Sequence, residues 1–156
     1  MKGGVGTASI QVGQLTVAAL VVVNAVGDIV NPTSGKILAG ARSGDGKSLI
    51  NLSQKIRERS FTMPQRSLEN TTLGVVATNA SFSKTEIQKI AQMSHDGLAR
   101  AIHPVHMPSD GDTIFSISKG KVEGYGVGQV GALAAQATTE AVIRAVLQAT
   151  SIPGYP

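Results

Sequence analysis

A chain of 156 residues with 42% hydrophobic and 15% charged positions can bury one substantial core, is too short to expect two domains, and is too apolar for a disordered, solvated segment. The net charge of +4 raises nucleic acid as a partner, but the Lys and Arg residues are scattered and aromatics make up 3%, which leaves no stacking platform or basic stripe and argues against that class. The longest apolar run, Leu15 to Val26, is interrupted by Thr16 and Asn24 and falls short of the roughly 20 residues of a membrane span, so no membrane association is expected.

Val5 to Val12 and Leu15 to Val26 read as two strands around Gly13-Gln14, a two-residue turn with Gly first. The second is so continuously apolar that burial on both faces is expected. From Asn31 to about Arg59 the chain turns polar and Gly-rich and then cationic around Lys55 to Arg59, a surface connection expected to hold one short helix. Phe61 to Glu69 has no clear period, and Thr71 to Thr78 is another β-branched strand. Ser83-Lys84-Thr85-Glu86 is a capping box, followed by Ile87, Ile90, Ala91, Ser94 and Leu98 at helical spacing. That helix should stop before Pro104. Thr113 to Ser118 alternates as a half-buried strand, and Gly131 to Thr150 is an Ala-rich helix, apolar almost all round, that must be covered on most sides. Two central strands with these two helices over them make an α/β fold.

Several motifs have plain structural readings. Gly126-Val-Gly128-Gln-Val-Gly131 spells the dinucleotide fingerprint, but the parallel strand and ribose-binding acid that should follow it are missing. It reads as a flexible turn that lets the last helix pack closely. Ala41 to Ser48 resembles a phosphate loop with Ala41 in place of its first Gly, and reads as a solvated loop. His95, His103 and His106 are the only histidines. Pro104 breaks the helical geometry that would align the last two, and no Cys completes a tetrahedral set, so no metal or other cofactor is expected. Asn70-Thr71-Thr72 and Asp110-Gly111-Asp112 would each pass as turn chemistry at a strand start.

Taken together, Lys2-Gly-Gly-Val-Gly-Thr-Ala-Ser9, Val21-Val-Val-Asn-Ala-Val-Gly-Asp28, Asn70-Thr-Thr-Leu-Gly-Val-Val-Ala-Thr-Asn79, His95-Asp-Gly-Leu-Ala-Arg100 and Asp110-Gly-Asp112 resemble, in that order, the L-aminopeptidase/D-esterase family. That family includes the β-peptide aminopeptidases and the nylon-oligomer hydrolases. The Thr after Asn and the Asp-Gly-Asp look most like the nylon-oligomer (6-aminohexanoate oligomer) hydrolase branch. The resemblance covers nearly all of this chain and about the second half of a family member.

It implies a precursor that cuts itself before Ser or Thr into a larger and a smaller subunit, folded together as a four-layer αββα sandwich. Here residues 1–70 would end the larger subunit and residues 71–156 form the smaller, within one domain lacking its upstream half. The abrupt opening Met1-Lys2-Gly3-Gly4 fits that expectation. The resemblance makes Thr71 the nucleophile freed by cleavage after Asn70, with its own α-amine as base. Asp110 and Asp112 would orient it, Asn24 would be the oxyanion donor, and Lys2 would match a basic residue of the nylon-hydrolase branch. The implied substrates are short peptides, amino-acid amides or oligoamides, and the implied partners are the upstream segment and further copies in a homo-oligomer. With no Cys and no cleavable leader, a cytoplasmic location is expected. An ornithine-type acetyltransferase also self-cleaves before Thr, but the Lys-Gly-…-Pro-Asn-…-Ala-Thr run expected there is absent. The remaining alternative is an inactive fragment without its upstream half.

Overall fold

The computed structural model describes residues 3–60 and 70–150. Gly13, at φ 59°, takes the left-handed conformation that a tight hairpin needs. It joins β1 (Gly4–Val12) to β2 (Leu15–Val23) in an antiparallel pair running from Val12 opposite Leu15 to Gly4 opposite Val23. The connection that follows holds β3 (Asp28–Val30), β4 (Ile37–Ala39) and the short helix α1 (Leu52–Arg57). β5 (Leu73–Ala80) pairs antiparallel with β2, Val17 lying opposite Thr78. α2 (Lys84–Ala101) starts at the capping box, with the Ser83 hydroxyl accepting from Glu86 N–H and the Glu86 carboxylate from Ser83 N–H. β6 (Ile102–His103) ends it before Pro104. β7 (Thr113–Val122) then pairs parallel with β5, Leu73 opposite Thr113. The helix crossover between them is the connection a parallel pair requires. α3 (Val127–Leu147) closes the described chain.

The main sheet has the order β1-β2-β5-β7, and a small one the order β4-β3-β6. Both long helices lie on one face of the main sheet. Ala8, Leu15, Val17, Val21 and Val76 point into that side and pack with Ile90 and Leu98 of α2 and Val130, Ala134 and Val142 of α3. This is a helix layer on a sheet layer. α3 is apolar and long enough to cross a membrane by length and composition, but its apolar surface is taken up here by β1, β2 and α2.

The expectation that the second strand is buried on both faces is corrected. Burial alternates along β2, and the opposite sheet face presents Leu20 (43% exposed), Phe115 (61%) and Ile117 (51%), together with Val22 and Leu73. The strand also stops at Val23, three residues short of the expected Val26. The polar connection contains one short strand, β4, as well as the expected short helix, and another, β3, precedes it. The Gly126–Gly131 motif is no turn: Gly126 caps α3 and the rest forms its first residues. Close packing is nonetheless its role, since a Cβ on Gly131 would come 2.3 Å from Met93 Sδ of α2.

Gly97 sets the approach of α2 to α3. A Cβ there would lie 2.3 Å from the Ala135 carbonyl oxygen and 2.7 Å from Thr138 Cβ, and Thr139 donates its hydroxyl to the Gly97 carbonyl at 3.1 Å. Gly97→Ala gains about 1 kcal/mol of helix propensity. It also forces two backbones apart, and overpacking costs typically 1–3 kcal/mol. Because a backbone carbonyl cannot swing aside, the clash wins, and urea denaturation of Gly97→Ala should show a net loss of stability; an unchanged or raised midpoint would contradict this packing.

Asp28, almost fully buried, ties the long connection to the sheet. Its Oδ2 accepts from Leu52 N–H at 2.7 Å and its Oδ1 from Ala41 N–H at 3.3 Å. Burial raises its carboxyl above the ordinary carboxylate range, against the lowering effect of those two amides. The loop resembling a phosphate site is closed by its own side chains: Asp45 accepts from Ser43 Oγ and Lys47 N–H. An anion would find its amides occupied.

Candidate active site

The candidate residues come from three chain segments that meet at one end of the main sheet. Asn24 follows the last residue of β2, Asn70 and Thr71 lead into β5, and Asp110 to Asp112 lead into β7. Thr71 N–H donates to the Asn24 carbonyl at 2.9 Å. On the other side Asn70 bridges Asp110 in the parallel sense, and Gly111 N–H donates to the Asn70 carbonyl at 3.0 Å. Thr113 N–H donates to the Thr72 carbonyl at 3.0 Å and continues the ladder. The carbonyl of the Asn70–Thr71 peptide bond is therefore hydrogen-bonded and fixed in place.

Side-chain burial alternates through this stretch. Thr72 is fully buried and Leu73 is exposed, while Thr71 is partly open. Thr71 Oγ1 lies against Gly111, so closely that a Cβ on that residue would come within 2.6 Å of it.

The two aspartates are held differently. Asp110 closes a turn on Met107, accepting its N–H on Oδ2 at 3.0 Å while donating its own N–H to the Met107 carbonyl at 2.8 Å. Asp110 Oδ1 is buried and has no hydrogen-bond partner among the described residues. Burial pushes this carboxyl above the ordinary carboxylate range; the Met107 amide opposes that shift and the Asp112 charge adds to it. Asp112 is more enclosed, with 4% of its side chain exposed. Its Oδ1 accepts from Thr72 N–H at 2.9 Å and its Oδ2 pairs with His106 Nδ1 at 2.9 Å.

The structure thus brings Asn24, Thr71, Asp110 and Asp112 together, and Lys2 lies outside the described residues. One part of the sequence argument for Asn24 is corrected. Asn24 is an exposed residue just beyond the end of β2, not a residue inside a buried strand. What places Asn24 here is its carbonyl on the Thr71 amide. Two participants were not read from the sequence as part of this site. Gly111 is one, because the need for a bare Cα appears only when Thr71 is packed against it. His106 is the other: its spacing from Asp112 was visible, but nothing linear shows that a positive φ of 55° aims the chain there. His95 of α2 joins it, the two ring centroids lying 5.0 Å apart, whereas the ring of His103 turns away to the Ala99 carbonyl.

Residues 1–156 match peptidase family S58. An uncharacterized aminopeptidase of Mycobacterium leprae is 37% identical over 171 residues, covering 100% of this chain and 47% of that protein. A 6-aminohexanoate-oligomer endohydrolase of Paenarthrobacter ureafaciens is 29% identical over 124 residues, 77% of this chain and 34% of that protein. The solved structure of the L-aminopeptidase D-Ala-esterase/amidase of Ochrobactrum anthropi, described as a variant of the Ntn hydrolase fold, has a TM-score of 0.63 at 22% identity. The match covers 99% of this chain and 43% of that one. The chain spans about half the length of the curated relatives it matches.

Proposed function

Since this chain belongs to peptidase family S58, we propose that it carries the nucleophile of a self-processing amide hydrolase, with Thr71 as nucleophile and Asn70–Thr71 as the bond first cut. The observation that carries this reading is the packing of the Thr71 hydroxyl against Gly111 beside a carbonyl held by the Gly111 amide. In the uncut chain the Thr71 nitrogen is an amide and cannot serve as base. Asp110 takes that part, because a carboxyl raised above its ordinary range by burial is the better proton acceptor and Asp110 stands on the segment paired with Asn70. Thr71 Oγ attacks the Asn70 carbonyl carbon, the C–N bond breaks as the ester forms, and water then releases the Asn70 carboxylate and a free Thr71 amine.

That amine changes the chemistry. A threonine hydroxyl needs a base to react at neutral pH, and an α-amine with a pKa of roughly 7.7–8.0 is partly neutral there and attached to the same residue. It takes the hydroxyl proton as Oγ attacks a substrate amide and delivers it to the leaving amine, and water resolves the ester. Asn24 supplies the oxyanion contact in this scheme. Asp112, gripping the Thr72 amide, keeps the nucleophile from drifting. Short peptides, amino-acid amides and oligoamides are the proposed substrates.

The upstream segment of the precursor is proposed to cover the open sheet face. Leu20, Val22, Leu73, Phe115 and Ile117 make that face a contiguous apolar surface, of a kind that soluble monomers rarely leave bare, and Thr71 stands at its edge. The test is to express the precursor with its upstream segment and weigh the products. A fragment beginning at Thr71, together with release of amine from a short oligoamide, is the expected result. An intact chain that hydrolyses amides, or a cut at another bond, would remove Thr71 from its role.

A further inference from the structure

We propose that His106 is a positioning residue of this hydrolase, holding Asp112, and through it the start of β5, in register with the nucleophile. The inference rests on the Thr71 reading above.

Asp112 is a nearly enclosed carboxylate with two commitments. One oxygen grips the amide of Thr72, the residue next to the nucleophile, and the other meets His106 Nδ1 at 2.9 Å. A carboxylate can only accept, so the ring is fixed as the tautomer or imidazolium that carries a proton on Nδ1. The partners differ in exposure: 39% of the His106 side chain is accessible against 4% for Asp112. An ion pair with both ends in water would order little. Here one end is buried, and without the ring an Asp112 oxygen would lose its partner and the carboxylate could rotate away from Thr72.

The backbone supports the same reading. His106 sits at φ 55°, a conformation that asparagine and histidine tolerate better than most residues and that glycine adopts freely. This conformation is needed to turn the chain between β6 and β7, and among residues that suit it histidine adds a ring donor reaching Asp112. The groups around it are His95 on α2, with Asp110 and Asp112 before β7. His95 packs against the His106 ring at 54° and is held toward its neutral form by burial and by His106, against the opposing pull of Asp112 and Asp96. It backs the ring of His106 by direct contact.

The tolerance of this φ allows a clean experiment on the full precursor. His106→Gly keeps the backbone and removes the ring, while His106→Asn keeps the backbone and places an amide N–H near the position of Nδ1. We expect His106→Gly to slow both appearance of the Thr71 fragment and kcat by about tenfold to a hundredfold, the scale on which losing a partner that orients a reacting group acts. KM should stay within about twofold, since no substrate contact is lost. His106→Asn should recover most of both rates. Wild-type rates in His106→Gly, or equal losses in the Gly and Asn variants, would overturn the proposal. A wild-type precursor that neither cuts itself nor hydrolyses amides would instead overturn the Thr71 reading, and this one with it.

Discussion

Thr71→Ala should leave the precursor as one uncut chain with no measurable amidase activity. In the proposed chemistry a single oxygen performs both attacks, on the Asn70 carbonyl and on the substrate, so its removal leaves no alternative route. Losing a nucleophile outright lowers turnover by on the order of 10⁴-fold or more. The fold should be spared, because Thr71 is only partly buried and its backbone bond to the Asn24 carbonyl is unaffected. Thr71→Ser keeps the hydroxyl and should retain cleavage and part of the hydrolysis. Thr72→Ala is the sharper control: Thr72 is fully buried and its hydroxyl has no hydrogen-bond partner among the described residues, so alanine removes an unsatisfied group and should leave both reactions intact. Intact-mass measurement and amine release on the same preparations decide the matter. Normal cutting in Thr71→Ala, or its loss in Thr72→Ala alone, would move the nucleophile or dismiss self-processing.

Gly111→Ala should slow both reactions by about a hundredfold or more without removing any reacting group. The added methyl would stand 2.6 Å from Thr71 Oγ1, well inside contact distance, and a threonine side chain has one torsion with which to escape. Either the hydroxyl rotates off its line of attack, or the start of β7 retreats and gives up the Gly111 bond to the Asn70 carbonyl. Misplacement by about 1 Å costs roughly 10²-fold in rate, and a loss of at least that order is expected in processing and in kcat. Where the hydroxyl is what yields, stability should move the other way or not at all. Gly111 is not among the glycines with positive φ, and at a compatible position Gly→Ala stabilises by about 0.4–1 kcal/mol through the unfolded chain. A processing time course beside a thermal melt separates the two effects. Normal processing in this variant would mean that the hydroxyl is not confined where the structure places it.

Much of the frame was legible in the linear pattern. The apolar run Leu15 to Val26, the β-branched run Thr71 to Thr78, the capping box at Ser83 and the alanine-rich final helix are local signals, written in neighbouring residues by twofold and 3.6-fold periodicity. They predict β2, β5, α2 and α3 to within a few residues. The small sheet was not legible, because strands of two or three residues such as β3, β4 and β6 are too short to show any period. The family resemblance also pointed to Asn24, Thr71, Asp110 and Asp112 as a group, although nothing in their spacing says that the ends of β2, β5 and β7 meet.

The sequence by itself determined the long strands and helices, because those choices depend on contacts within a few residues. Only the tertiary structure decided which face of β2 is covered. An apolar residue records that something must bury it, but not whether the cover lies within the same segment of chain. It alone also decided that Gly111 must stay bare beside Thr71 and that His106 reaches Asp112, since both follow from a parallel pairing between strands that stand some forty residues apart. Pairing at that range is selected by the whole core at once, and no local stretch of sequence contains it.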